Sequence, residues 1–97
     1  MLDSDTLYQI GVELRNAREK FPRNDNLLPA LMEEVGELAT AIIELRFAIE
    51  RKDPPAPVQQ RRDKIKREAY QVIAVAVRII EEGVAEYPES QEVKSDY

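Results

Sequence analysis

Hydrophobic positions recur at helical spacing along most of the chain. Leu7, Ile10, Leu14, Ala17 and Phe21 follow a 3-4-3-4 interval that puts them on one stripe, which predicts a helix over 5–20 with Asp3 or Ser4 as its N-cap. The stretch from Phe21 to Asn26, with a proline and three cap-forming residues, breaks the pattern and predicts a loop whose end caps a second helix. From Leu27 to Arg51 two seven-residue repeats interleave: Leu28, Val35, Ile42 and Ile49 form one, Leu31, Leu38 and Leu45 the other. Pro29 falls in the first turn of that helix, where its missing N–H costs little.

Asp53-Pro54-Pro55-Ala56-Pro57 ends the second helix and predicts a short, stiff connection that turns the chain back. A third helix is then expected over 58–82, antiparallel to the second, with Gly83 as its C-terminal cap. Its middle, Val72-Ile73-Ala74-Val75-Ala76-Val77, is β-branched enough to read as a buried strand. Helix is preferred because residues 61–71 lead into it without a turn signal and are rich in helix formers. An apolar surface all round predicts burial from two sides, by the chain's own helices and by another subunit. Val84 to Tyr97, with Pro88, predicts a short helix or a loose tail. The expected fold is all-α: one domain over 1–97, an antiparallel bundle of three long helices plus a short C-terminal segment, completed by oligomerisation.

Size supports the last point, because a domain of 97 residues buries a modest fraction of its surface when it folds alone. Self-association is therefore expected. With 43% hydrophobic and 34% charged residues the chain is too apolar for a disordered one. Its net charge of -5 disfavours binding to a nucleic-acid polymer. No stretch approaches the roughly eighteen apolar residues that span a bilayer. The N-terminus opens with Asp3-Ser4-Asp5 rather than a basic and then apolar leader, so a cytoplasmic location without membrane contact is expected.

The chain has no Cys and no His, and its serines are Ser4, Ser90 and Ser95, all near the ends. Cys-His and Ser-His nucleophilic pairs, Cys/His zinc sites and an imidazole base are thereby excluded. Any enzymatic chemistry must run on carboxylates and metal-activated water.

Carboxylates are where the pattern is unusual. Glu34 and Glu37, three apart, and Glu33 and Glu37, four apart, are neighbours on a helix, with Cβ atoms roughly 5 to 6 Å apart. No basic residue lies between Asn24 and Leu45 to relieve them, and they sit beyond the first turn where the helix dipole would help. A solvated acidic face is the plain reading. The sharper one is a site for a hard divalent cation, Mg²⁺ first and Mn²⁺ second, since such ions take a few carboxylates with waters or phosphates. Glu68 and Gln71 repeat the i, i+3 spacing on the antiparallel third helix, and two such pairs on facing helices resemble the carboxylate metal sites of helical bundles.

Leu31-Met32-Glu33-Glu34-Val35-Gly36-Glu37-Leu38, followed by Glu68-Ala69-Tyr70-Gln71-Val72, resembles the MazG-like all-α nucleoside triphosphate pyrophosphohydrolases, whose signature is EExxE with ExxD on a later helix. The likeness runs from about Leu7 to Glu82. It implies Mg²⁺-dependent hydrolysis of the α–β phosphate bond of a (deoxy)nucleoside triphosphate, giving monophosphate and pyrophosphate, in a homodimer or homotetramer. It also implies Glu34, Glu37 and Glu68 as metal ligands and Glu33 beside the metal or its water. Where the family has Asp this chain has Gln71, which offers a carbonyl oxygen but no charge. A similar Glu-Ala-x-Gln-Val pattern marks small, phage-type members. The alternative reading is a non-catalytic nucleotide- or metal-binding relative with a regulatory or interaction role.

Positive charge for a triphosphate would come from the run Arg61, Arg62, Lys64, Lys66 and Arg67, with Lys64 one turn before Glu68 and Arg67 one turn before Gln71. Solvated ion pairs are the plainer reading of that run. Arg78 interrupts an apolar surface and either pairs with an acidic residue or reaches phosphate. Tyr8, Phe21, Phe47 and Tyr70 could stack on a base, although aromatics at helical spacing are more often core.

Overall fold

A computed structural model describes residues 2–23 and 27–83, and these form three helices: α1 Ser4–Lys20, α2 Leu27–Glu50 and α3 Pro55–Glu82. The all-α expectation holds, including the Val72–Val77 run, which is helical. The proposed capping role of Asn24, Asp25 and Asn26 and the fate of 84–97 lie outside the described residues. No described helix is long and apolar enough to cross a membrane.

Local chemistry sets the helix ends. Asp3 caps α1, its Oδ1 accepting from the Thr6 N–H at 2.8 Å, and that bond holds its carboxyl below the usual range. At the end of α2, Lys52 takes a left-handed conformation (φ 59), while the N–H groups of Lys52 and Asp53 close on the carbonyls of Ile49 and Ala48 at 3.0 Å each. This is the terminating bond pattern that usually recruits glycine. The helix expected to begin at Val58 begins instead at Pro55. Prolines at the first helical positions give up N–H groups that have no partner there anyway, so Pro55 and Pro57 open α3 rather than lengthen the connection. Gly83 ends α3 at φ 74, as expected of a C-terminal glycine.

α3 is the central element. α2 packs along one side of it and α1 along another, while α1 and α2 make no close backbone approach to each other. The α2–α3 register is antiparallel: Glu44 meets Arg61 at 3.3 Å and Lys64 at 3.6 Å near the turn, and Glu34 and Glu37 meet Glu68 farther along. α1 runs alongside α3 so that Arg18, near its end, reaches Glu81 and Glu82 at the end of α3. Among the described residues the buried apolar set is small: Leu27, Ala41, Ala48, Ala74 and Val75. Alanines at these points let the α2 and α3 backbones approach closely.

Burial refines the α1 stripe: only its middle is covered, while Leu7 and Phe21 stay exposed. The chain's own share of the cover foreseen for α3 comes from α1 and α2, while Ile73 and Ile80 on α3 stay exposed and α2 keeps a large open apolar face.

Arg78 joins the three segments. Its side chain is 1% exposed and donates from Nε to Glu82 at 3.1 Å, from Nη1 to the Ala17 carbonyl at 3.1 Å and from Nη2 to the Arg23 carbonyl at 3.2 Å. Of the two roles open to it, the acidic partner is the one observed. Glu82, which also accepts from Arg18 at 2.9 Å, is held below the usual carboxylate range first by Arg78 and then by Arg18. Replacing Arg78 by alanine would strand buried acceptors, and a loss of about 3 kcal/mol in unfolding free energy is expected. Chemical denaturation of Arg78→Ala and of the exposed control Arg62→Ala measures this, and equal midpoints would contradict it.

Candidate metal centre

The antiparallel register brings the two acidic motifs together. Glu34 and Glu37 from α2 and Glu68 from α3 each offer a carboxylate oxygen, and the three oxygens lie within 4.8 Å of one another. Glu34 and Glu68 are half-buried and Glu37 is exposed. Two of the oxygens, Glu34 Oε2 and Glu68 Oε2, are buried and have no hydrogen-bond donor. As ionised groups they accept from no protein donor, which favours sharing a proton with a neighbouring carboxyl or meeting a cation.

The electrostatics express the same conflict. Burial first, and then the charges of Glu37, Glu68 and Glu33, push the Glu34 carboxyl up to about 7. Glu68 is raised as well, by burial and then by proton sharing with Glu37 and its charge, with Lys64 and Arg67 opposing. The donor set fits a hard divalent ion: three carboxylates, all oxygen ligands, from two facing helices, with two buried oxygens lacking a donor.

Two hollows flank the cluster. An open groove of about 530 Å³ runs past Glu33, Glu37 and Glu68, with Lys64, Thr40 and Gly36 on its walls. On the other side a more enclosed hollow of about 360 Å³ lies over α3 between α1 and α2, where those helices make no close backbone approach. Glu34 and Gln71 face it, and Asn16, Lys20 and Phe21 come to it from the end of α1.

Each site residue foreseen from sequence can now be placed. Glu33 stands in the groove, outside the set of three but near enough to act on Glu34. Gln71 lies one turn beyond Glu68 on the side of the enclosed hollow. Lys64 reaches the groove while bridging to Glu44, and Arg67 is exposed yet close enough to lower Glu68. Arg78 lines the enclosed hollow, but its guanidinium is engaged with Glu82 and two carbonyls. Glu13, Asn16 and Lys20 were missed, although positions 13, 16, 17 and 20 carry the spacing of a single helix face. Comparison of the chain with family models, with curated proteins and with solved structures gives no match.

The raised Glu34 has a thermodynamic consequence. Below about pH 4.5 the carboxyl is protonated in both the folded and the unfolded chain. Between 4.5 and about 7 the unfolded chain loses the proton and the folded one keeps it, so this group lowers stability progressively as pH rises. Glu34→Gln removes that dependence. In metal-free buffer its melting temperature relative to wild type is expected to climb from pH 4.5 to 7 and then level off, and parallel curves for the two proteins would refute the assignment.

Proposed function

We propose that the chain is a Mg²⁺-dependent nucleoside triphosphate pyrophosphohydrolase of the MazG-like kind, acting on a (d)NTP to give the (d)NMP and pyrophosphate. The observation that carries this reading is the convergence of Glu34, Glu37 and Glu68 within 4.8 Å with two buried oxygens lacking a donor. A cation bound there would supply Lewis acidity and a lowered water pKa, which a chain without Cys or His cannot supply from its own side chains.

The chain's own residues divide the remaining work. Glu34, Glu37 and Glu68 would hold the ion, with Gln71 offering a carbonyl oxygen from the next turn. Glu33, exposed in the groove, would take a proton from water. Lys64 lies in the same groove and Arg67 is close enough to act on Glu68, and both would offset phosphate charge. The enclosed hollow, about 360 Å³, falls at the small end of the roughly 300 to 1,000 Å³ range of ligand pockets and suits a nucleoside-sized group beside Phe21. Water would add across the α–β anhydride: its oxygen bonds to one of the two phosphorus atoms, its proton passes to a carboxylate, the bridging P–O bond breaks, and monophosphate and pyrophosphate separate.

Screening ribo- and deoxynucleoside triphosphates with Mg²⁺ and with Mn²⁺ for pyrophosphate release tests the reading. At least one nucleotide is expected to be cleaved. Glu37→Gln is expected to lower that rate by more than the tenfold to hundredfold typical of losing an outer contact, with its helical content retained. Absence of turnover above the Glu37→Gln background for every nucleotide would sink the enzyme reading. The neutral Gln71 favours a second one, in which nucleotide and Mg²⁺ raise the melting temperature without turnover and Gln71→Asp introduces it.

A further inference from the structure

One wall of the enclosed hollow carries polar groups that the fold itself does not use. Glu13, Asn16 and Lys20 line it from a single face of α1. Glu13 and Asn16 have no hydrogen-bond or ion-pair partner among the described residues, and Glu13 is outside the carboxylate set that converges on Glu68. Glu13 is half-buried, yet the hollow it faces is otherwise walled by the apolar side chains of Leu27, Ala30, Ala74 and Val75. A carboxylate held against such a surface is costly unless something donates to it. We propose, resting on the reading of this hollow as the nucleoside site, that it is a guanine pocket in which Glu13 accepts from the N1–H and N2–H groups of the base.

The order of groups along the wall decides the ligand. From Glu13 to Lys20 it runs acceptor-only carboxylate, amide, donor-only ammonium. Successive groups rise by about 4.5 and 6 Å along the helix, within side-chain reach of one base edge. Guanine presents the matching order: adjacent N–H donors at N2 and N1, then acceptors at O6 and N7. A carboxylate takes two parallel donors at once, and its charge strengthens both bonds. The Asn16 amide then donates to O6 and the Lys20 ammonium to N7. Phe21 stands beside Lys20, whose Nζ is 5.2 Å from the ring centroid, and its ring is 42% exposed for contact with the base.

The other common bases fit this wall less well. Uracil and thymine carry a carbonyl on each side of their one N–H, so an approach to Glu13 sets oxygen lone pairs against the carboxylate. Adenine offers one amino group between two ring acceptors. Cytosine has the order donor, acceptor, acceptor, but it brings a single amino group to Glu13 where guanine brings two N–H groups. A site built around such a bond rejects the analogue that lacks it, because its own buried acceptor is then left unpaired.

Calorimetric titration of the full chain with nucleoside 5′-monophosphates in Mg²⁺ buffer reads the base preference without turnover. GMP is expected to bind roughly tenfold or more tighter than AMP, CMP or UMP, the effect of one charge-assisted hydrogen bond. IMP, which is GMP without the N2 amino group, is expected to bind wild type more weakly than GMP by a similar factor. Glu13→Gln is expected to weaken GMP and to remove its advantage over IMP. Equal binding of the four monophosphates, preference for another base, no binding at all, or a GMP advantage over IMP that survives Glu13→Gln would each overturn the proposal. Should the variant unfold, the comparison of GMP with IMP on wild type still decides. Failure here is distinct from failure of the hydrolase reading: cleavage of triphosphates with no preference for guanine removes the guanine pocket alone, whereas GMP-selective binding without turnover of any triphosphate removes the hydrolase alone.

Discussion

The close antiparallel contact of α2 with α3 is the constraint from which the rest of the molecule follows. Alanines at 41, 48 and 74 let the two backbones approach, and the proline-opened α3 starts five residues after α2 ends, leaving little slack in the register. Glu44 against Arg61 and Lys64 marks that register near the turn. Two turns farther on, the same register forces Glu34, Glu37 and Glu68 together with no basic residue among them. Exposed acids would relax by swinging into water, but Glu34 Oε2 and Glu68 Oε2 are buried and lack a donor. The repulsion is therefore held in place by packing elsewhere, the condition under which a binding site is preorganised.

Arg78 performs a different task at the other end. Three helices that share a thin core need something to fix α1, which contributes no fully buried residue of its own. A guanidinium with its donors spread over the Ala17 carbonyl, the Arg23 carbonyl and Glu82 ties the end of α1 and the start of the following segment to α3. That tie keeps α1 from closing onto α2, and the space left between them is the hollow into which Glu34 and Gln71 look. The residue read from sequence as a candidate for phosphate binding lines that hollow with its guanidinium already engaged.

How much was legible in the sequence differs by level. Helix positions, the turn and the pairing of the Glu34–Glu37 turn with Glu68 all followed from periodicity and punctuation, because spacing of three and four has one meaning on a helix and a short connection has one consequence for direction. The start of α3 was misplaced because prolines were read as breakers, when at the first turn they are starters. Arg78 was ambiguous because its acidic partner, Glu82, stands at i+4 and was legible, while the two carbonyls that complete its shell belong to residues 61 and 55 positions away. The contribution of Asn16 and Lys20 was invisible for the same reason, since which face of α1 looks toward the acids depends on how α1 lies against α3.

The two stripes of α2 show where periodicity stops informing. Leu31 and Leu28 differ by three positions and look equivalent in a repeat, yet one turns to α3 and the other to solvent. A helix with an apolar seam on two sides and acids on a third has no face left for water alone, and α3 can satisfy only one of the seams. The acids that converge on Glu68 ride on this singly supported helix. Any motion of α2 away from α3 would let Glu34 and Glu37 separate from Glu68 and relieve their repulsion, so repulsion and a free seam act together to loosen the site.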